Sequence, residues 1–326
     1  MAGPYRVGMR GLVSLLLAGC MVLLAACGSS APASQSDARA GASAGASARA
    51  SAGASADAGA DPSAASPVTG AGTVRYVALG DSYSAAPGVP TTSLAGGCLR
   101  SDHDYPHLLA AADPRLRLTD VTCSGATTSD LSHRQRIQQV SVPPQLFAVK
   151  PSTRLVTLGI GGNDLGLFGT LLGWCLQGGQ ECIGGLTGRV RHDLAVIEGN
   201  LVGALRAVHR RAPRATVVLV GYPQLIPADH VGCAGLQVDP AVLAFVGRLI
   251  ERFSAMMARA ARAGGATYLD LIAPSAGHDI CSMSPWVNGR QPTNLAIAFH
   301  PLPAEQQAVA GLLLKRVAAD HVSAAR

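Results

Sequence analysis

The chain has 326 residues, of which 48% are hydrophobic and 14% are charged, so it is long enough to bury a sizeable core. Its net charge is +6, and the basic residues are spread along the chain without a dense run. This distribution argues against a dedicated nucleic-acid surface, and we expect no nucleic-acid partner.

The N-terminal segment has the pattern of an export signal. Two arginines precede an apolar run over residues 12–26, which is short for a stable membrane span. The run ends in Leu24-Ala25-Ala26-Cys27, which resembles the lipobox of bacterial lipoproteins. We predict a lipoprotein signal peptide over 1–26 and lipidation at Cys27. Lipidation at Cys20 and an ordinary secretory signal are the alternatives.

Residues 27–72 are rich in alanine, serine and glycine and show no apolar periodicity. Because alanine alone buries too little apolar surface to offset the entropy of ordering, we predict a disordered tether. The protein is then exported and held by its lipid anchor at the outer face of the cytoplasmic membrane, or secreted if it has no lipid. Residues 73–326 remain for a single domain.

From residue 73 onward, strand-like and helix-like segments alternate. The first strand is predicted over 74–79 and is followed by the turn Gly80-Asp81-Ser82. Further strands are predicted over 116–122, 154–160, 215–220 and 266–271, and helices over 104–112, 143–149, 186–212, 240–263 and 303–319. This alternation, with apolar strands, indicates a three-layer α/β/α fold with a five-stranded parallel sheet.

Turns of small residues follow the first three predicted strands. They are Gly80-Asp81-Ser82, Cys123-Ser124-Gly125 and Gly161-Gly162-Asn163. Parallel sheets bind their ligands at the carboxyl ends of the strands. We therefore expect these turns to converge on one site.

Four blocks in chain order carry a family resemblance: Gly80-Asp81-Ser82-Tyr83, Gly125, Gly161-Gly162-Asn163-Asp164 and His300-Pro301. Together they resemble the SGNH hydrolases, also called the GDSL esterase and lipase family, and most closely its exported, disulfide-bonded bacterial members. The resemblance covers most of residues 73–320. It implies a flavodoxin-like SGNH hydrolase fold and a serine esterase or lipase that acts on acyl esters without a cofactor or metal. We expect a monomer.

The resemblance also implies a role for each block. Ser82 is the nucleophile that forms the acyl-enzyme, and His300 is its general base. The backbone N–H groups of Ser82 and Gly125 and the side-chain amide of Asn163 form the oxyanion hole. Glycine at position 125 allows a close backbone approach without an intervening Cβ.

One position departs from the family pattern. The family has an aspartate three residues before the histidine, where this chain has Ile297. Because some exported members use a main-chain carbonyl there, we predict that the Ile297 carbonyl accepts a hydrogen bond from His300 Nδ1. Asp270 and Asp279, more distant in sequence, are the alternatives.

Six cysteines lie beyond the tether, and six cysteines allow fifteen pairings. Resemblance to the exported family members implies that they pair consecutively, as Cys98–Cys123, Cys175–Cys182 and Cys233–Cys281.

Other residues have two interpretations. His103 and His107 are four positions apart, but no acidic ligand pattern follows and Pro106 interrupts, so we expect no metal site there. Trp286 either walls an acyl pocket or is a structural aromatic. The apolar segment Leu165-Gly166-Leu167-Phe168 favours an acyl chain.

Two alternatives to a lipase or esterase remain from the sequence. One is a carbohydrate acetylesterase of the same family. The other is a non-catalytic, tethered lipoprotein that binds the cell envelope.

Overall fold

A computed structural model describes residues 72–177, 179, 181–292 and 297–324. The predicted signal peptide and nearly all of the predicted tether, including Cys20 and Cys27, lie outside the described residues. Over the part of the chain that is described, no helix has the length and apolar character needed to cross a bilayer.

Five strands form the central sheet. They are β1 (Val74–Gly80), β2 (Leu116–Asp120), β3 (Leu155–Gly159), β4 (Thr216–Val220) and β5 (Thr267–Leu269). Their order across the sheet is β2-β1-β3-β4-β5, and every pairing between neighbours is parallel. The predicted α/β fold with a five-stranded parallel sheet is confirmed.

The described α-helices are α1 (Ser82–Ala85), α2 (Tyr105–Ala112), α3 (Leu167–Gly173), α4 (Cys182–Thr187), α5 (Val190–Arg211), α6 (Pro240–Gly264) and α7 (Pro303–Ala324). The helix predicted over 143–149 is a 3₁₀ turn, and the one predicted over 186–212 is divided between α4 and α5. The loops contain 3₁₀ turns at Ala95–Gly97, Thr128–Leu131, Gln145–Ala148, Asp164–Gly166 and Cys175–Gln177. They also contain two small hairpins, which pair Thr92–Ser93 with Arg100–Ser101 and Gln135–Ile137 with Val140–Val142.

Alternate side chains of β1 enter two cores on opposite faces of the sheet. Val77 and Leu79 belong to a larger core shared with α5 and α6. Tyr76 and Ala78 belong to a smaller core shared with α2 and α7. Because both faces are covered, β1 must be apolar almost continuously, as its sequence is.

Two helices begin with a capping aspartate and a proline in the first turn. The Asp239 side chain accepts from the N–H of the second residue of α6, directly after Pro240. Asp104 caps α2 by accepting from the N–H of the third residue, His107, and Pro106 is the second residue. An N–H in the first turn of a helix has no acceptor within the helix, so the N–H that proline lacks is not missed there. Pro106 therefore helps to begin α2 and does not interrupt it.

The carboxyl end of β1 is fixed from two sides. The Asp81 N–H donates to the Gly159 carbonyl at the end of β3, and a Cβ at Gly80 would lie 2.6 Å from that oxygen. Only glycine fits such a close approach. The Gln145 side chain also bonds both the N–H and the carbonyl of Gly80, at 2.8 and 2.9 Å. These contacts hold the turn that presents Ser82.

The cysteines are joined in the three pairs that the resemblance implies: Cys98–Cys123, Cys175–Cys182 and Cys233–Cys281. The first pair lies next to the turn that follows β2. There the Cys123 N–H donates to the Gly80 carbonyl, and the Ser124 N–H donates to the Cys98 carbonyl. This disulfide therefore braces the segment that carries Gly125.

Candidate active site

Ser82 and His300 meet at the carboxyl edge of the sheet. Ser82 is the first residue of α1 and is 7% exposed. His300 lies shortly before α7, and its Nε2 is 3.0 Å from Ser82 Oγ. The fold thus brings together two residues that are 218 positions apart in the sequence.

The group behind the His300 ring differs from the predicted one. His300 Nδ1 is 2.9 Å from the carbonyl oxygen of Ala298. The prediction that the Ile297 carbonyl holds Nδ1 is wrong, because that oxygen accepts instead from the backbone N–H of His300, at 3.1 Å. The Ile297 carbonyl therefore closes the backbone turn that ends at His300, and the Ala298 carbonyl is the one that contacts the His300 ring.

The Ala298 carbonyl determines the tautomer of His300. A carbonyl can only accept, so Nδ1 carries the ring proton and Nε2 presents its lone pair to the Ser82 hydroxyl. Burial lowers the pKa of His300 below its ordinary value, and the hydrogen bond to Ala298 opposes this only in part. The ring is therefore neutral at neutral pH and can accept a proton from Ser82.

Neither alternative aspartate orients His300. Asp279 Oδ1 accepts from the Cys281 N–H, at 2.8 Å. Asp270 Oδ1 accepts from the Ile272 N–H, at 3.2 Å. Each carboxylate stabilises its own turn, and within the described ranges no carboxylate is hydrogen-bonded to His300.

Asn163 and Gly125 are connected through Ala126. Asn163 Nδ2 donates to the Ala126 carbonyl at 3.0 Å, which fixes the amide and leaves its second N–H available. Gly125 has φ of +76°, a conformation that favours glycine. A Cβ there would approach no closer than 3.8 Å to a non-neighbouring atom. The backbone conformation therefore accounts for a glycine at this position.

The two backbone donors predicted for the oxyanion hole have no protein acceptor in the described part of the chain. They are the N–H groups of Ser82 and Gly125. The second N–H of the Asn163 amide is likewise not used by the bond to Ala126.

A cavity of about 270 Å³ opens beside Ser82 and is also lined by His300 and Asn163. Its apolar wall comes from Phe168 and Leu172 of α3, with further contributions from Gly169, Gly173 and Phe299. Gly125 is not part of this lining; its neighbour Ala126 is bonded to Asn163, which is.

The apolar segment Leu165–Phe168 and Trp286, the candidates for contact with an acyl chain, lie in different environments. Of the segment Leu165–Phe168, Phe168 lines the cavity, Leu167 is buried in the core and Leu165 is exposed. Trp286 stacks on His278, with ring centroids 4.8 Å apart, and is not among the residues that line the cavity. Trp286 is thus a structural aromatic.

Two tyrosine hydroxyls connect the loops of the site, and the sequence did not identify either role. The Tyr83 hydroxyl donates to the Phe299 carbonyl at 2.6 Å, and its ring lies 5.6 Å from that of His300. The Tyr222 hydroxyl donates to Asp81 and accepts from the Gly162 N–H. Tyr83 stands inside the Gly-Asp-Ser-Tyr block, but Tyr222 has no local signal.

Asp81 supports the turn, as predicted. Its Oδ1 accepts from the Tyr83 N–H and caps α1. Burial raises the pKa of Asp81 to about 7, against the opposing hydrogen bonds from Tyr222 and Tyr83. The Asp81 carboxyl is 1% exposed.

Residues 78–308 match the sequence model of the GDSL-like lipase/acylhydrolase family. The chain belongs to this family. The matched range is well over half of the chain and contains Ser82, Gly125, Asn163 and His300. As a GDSL-like lipase or esterase, the protein is a hydrolase of carboxylic esters.

Relatives of this GDSL-like enzyme come from Streptomyces. It is 39% identical to Lipase 2 of Streptomyces coelicolor over 232 residues, which is 67% of this chain and 76% of the relative. It resembles the crystal structures of an extracellular lipase from Streptomyces rimosus, at 30% identity, and of phospholipase A1 from Streptomyces albidoflavus NA297, at 31%. Each likeness has a TM-score of 0.62 and covers 74% of this chain and 98% of the other.

Proposed function

We propose that this GDSL-like enzyme cleaves esters through an acyl-enzyme formed on Ser82. The observation that carries the proposal is the 3.0 Å contact between Ser82 Oγ and His300 Nε2, with Nδ1 held by the Ala298 carbonyl. His300 takes the hydroxyl proton as Ser82 attacks the ester carbonyl, and then gives it to the departing alcohol. Water is activated in the same way to release the acid.

The oxyanion of the tetrahedral intermediate is stabilised by the N–H groups of Ser82 and Gly125 and by Asn163 Nδ2. Asn163 suits this role because it is neutral and its amide is held by Ala126. Donors fixed before the reaction need no reorganisation when the charge develops, and one such donor contributes roughly 10²–10³-fold to kcat.

A fluorophosphonate probe tests the nucleophile. Ser82→Ala should abolish labelling, because the probe reacts only with an activated serine hydroxyl. Ser84→Ala is the matched control, since Ser84 lies in the same helical turn, is buried and contacts the Tyr105 hydroxyl. Labelling should survive in the control. Folded protein that takes up no label would support the non-catalytic, envelope-binding alternative.

The substrate class follows from the wall of the cavity. Phe168, Leu172 and Phe299 offer apolar contact to an acyl chain bound beside Ser82. The Streptomyces relatives are a lipase, an extracellular lipase and a phospholipase A1. We therefore propose esters with an apolar acyl chain in preference to carbohydrate acetates.

A series of p-nitrophenyl esters of increasing chain length tests this choice. Activity should be greater on chains longer than acetate. Gly173→Leu, which adds a side chain to the cavity wall where a Cβ meets no other atom within 4 Å, should shift the preference towards shorter chains. Gly203→Leu on α5 adds the same side chain outside this cavity, again where a Cβ meets no other atom within 4 Å. It should leave the chain-length preference unchanged. A sharp preference of the unmodified enzyme for acetate would favour the acetylesterase alternative.

We also infer export and attachment by a lipid at Cys27. The three disulfides suit an oxidising compartment, and the similar Streptomyces rimosus lipase is extracellular. Cys27→Ser should move the protein from the membrane fraction to the soluble fraction, and Cys20→Ser should not. Retention of the Cys27 variant on membranes would contradict the anchor.

A further inference from the structure

Away from the active site, three ionisable side chains come together between α2 and the end of β2. They are Asp104, which caps α2, His107 in the first turn of that helix, and Asp120 at the end of β2. His107 Nδ1 lies 2.6 Å from Asp104 Oδ1 and 3.8 Å from Asp120 Oδ2. One ligand-type atom from each residue lies within 4.8 Å of the other two.

Each aspartate of this cluster has one satisfied and one unsatisfied oxygen. Asp104 Oδ1 accepts from the His107 N–H, and Asp120 Oδ1 accepts from the Thr122 N–H. Oδ2 of Asp104 and Oδ2 of Asp120 are buried and have no hydrogen-bond partner among the described residues. The two side chains are 0% and 5% exposed. Burying carboxylate oxygens without partners is unfavourable, and a cation between them would offset that cost.

The cluster remains accessible to an ion from solvent. The His107 side chain is 41% exposed, so this member of the cluster reaches solvent while the two carboxylates are buried. Three protein ligands leave a fourth position for water, as in four-coordinate metal sites that are open to solvent.

We propose that Asp104, His107 and Asp120 bind a divalent cation of the zinc type. The ligand chemistry favours this ion, because imidazole nitrogen suits Zn²⁺, whereas Ca²⁺ and Mg²⁺ prefer sites built from oxygen alone. On binding, His107 keeps one ring proton on Nε2, and Nδ1 exchanges its hydrogen bond with Asp104 for a bond to the metal. A ring that starts protonated on both nitrogens releases its Nδ1 proton to solvent.

This inference differs from the sequence-based expectation of no metal at His107. The pattern His103–His107 pointed to the wrong partner, because His103 pairs with Asp102 at the exposed surface. The third ligand, Asp120, comes from a neighbouring strand and is brought to α2 only by the fold. No local spacing rule would find it.

The cation would stabilise the fold beside the active site and would take no part in the reaction. It joins the end of β2 to the start of α2, where the Tyr105 N–H donates to Gln306 Oε1 at 2.6 Å. The Tyr105 hydroxyl contacts Ser84 Oγ in the turn after Ser82. Binding at this cluster should therefore raise thermal stability.

Thermal unfolding and calorimetric titration of the purified protein, freed of metal by a chelator, test the site. Zn²⁺ should bind with one ion per chain and raise Tm by several degrees, and Ca²⁺ should do so less. Asp120→Asn and His107→Gln should each abolish the Zn²⁺-dependent increase in Tm. His103→Gln is the matched control, because the exposed pair His103–Asp102 has no buried third ligand, and it should keep the full increase.

Three results would overturn the proposal: no Zn²⁺-dependent increase in the unmodified protein, an increase that survives Asp120→Asn, or one that disappears in His103→Gln. Circular dichroism establishes that each variant is folded before titration. If Asp120→Asn does not fold, Asp104→Asn replaces it, and survival of the increase in that variant counts equally against the site.

Discussion

At the scale of single residues, His300 depends on a neutral backbone oxygen where a carboxylate is expected. The Ala298 carbonyl fixes the ring through Nδ1 but supplies no full negative charge. A carboxylate in that place would raise the pKa of the imidazole strongly. Here burial is the largest influence on the pKa of His300 and lowers it.

We expect the acid limb of the pH profile of kcat/KM to have its midpoint below 6.5, the ordinary pKa of histidine. As pH falls through the lowered pKa of His300, the ring gains a proton and can no longer accept one from Ser82. Activity is thus lost on the acid side and kept above it. Initial rates on a soluble short-chain ester measure the profile. A midpoint above 6.5 would require an acidic partner that the described residues do not provide.

Asp279→Asn should leave kcat largely unchanged. The Asp279 carboxylate stabilises the turn at Cys281, and an asparagine oxygen can accept the same N–H. His300→Ala, in contrast, should reduce kcat by several orders of magnitude, because the proposed nucleophile and its base act as a unit. Steady-state measurement of kcat for the two variants shows whether Asp279 takes part in orienting His300. A comparable loss in both would restore a triad that includes Asp279.

At the scale of secondary-structure elements, the segment before α7 carries His300 and is anchored to two others. The Asn288 N–H donates to the His300 carbonyl, and the Phe299 N–H donates to the Asn288 carbonyl. The Tyr83 hydroxyl, from α1, donates to the Phe299 carbonyl. Tyr83 therefore joins the helix that carries Ser82 to the segment that carries His300.

Tyr83→Phe should lower kcat by roughly ten- to a hundredfold, since small displacements of reacting groups are costly. It should also reduce the free energy of unfolding by about 1–3 kcal/mol. Tyr76→Phe is the matched control, because that buried hydroxyl bonds Thr157 inside the sheet at 2.8 Å. Both variants should lose similar stability in denaturant, but only Tyr83→Phe should slow turnover. Equal kcat in both would remove Tyr83 from the positioning of His300.

Much of the framework was predictable from local pattern. The strands β1, β3 and β4 are apolar runs because the sheet is buried on both faces, and such runs are visible in the sequence. The helix α6 begins at Pro240 and is closed by Gly265, which has φ of +77°. These signals depend on neighbouring residues alone, and the fold followed from them.

The finer geometry of the site was not predictable. Whether Ile297 or Ala298 faces the ring depends on a turn in which Phe299 has φ of +60°, and a non-glycine residue gives no sequence signal for that conformation. The contacts of Tyr222 and Gln145 with the turn after β1 join distant parts of the chain. Only the assembled sheet brings such groups together.

At the scale of the whole molecule, the disulfides connect long loops around one edge of the sheet. The pair Cys98–Cys123 spans 25 residues and Cys233–Cys281 spans 48. In the chain-entropy model, each restricts the unfolded chain and stabilises the fold by about 3–4 kcal/mol. The first also braces the segment that carries Gly125.

Replacing both cysteines of either pair by serine should therefore lower the free energy of unfolding by a similar amount, about 3–4 kcal/mol. Only loss of Cys98–Cys123 should also reduce kcat, because the segment with Gly125 is then less firmly held. Chemical denaturation and kinetics on the same preparations separate the two effects. If the variant without Cys233–Cys281 shows the same decrease in kcat as the variant without Cys98–Cys123, the decrease comes from general loss of stability. It would then not involve the proposed oxyanion donors.

The backbone acceptor behind His300 has a consequence for how the site tolerates mutation. Every amino acid carries the same carbonyl, so no substitution at position 298 can delete the oxygen that holds the ring. A nucleophile and base that are oriented by an aspartate can be inactivated through that third codon, whereas the proposed pair of Ser82 and His300 has no third side chain to lose. The site thus presents a smaller mutational target than a three-residue triad.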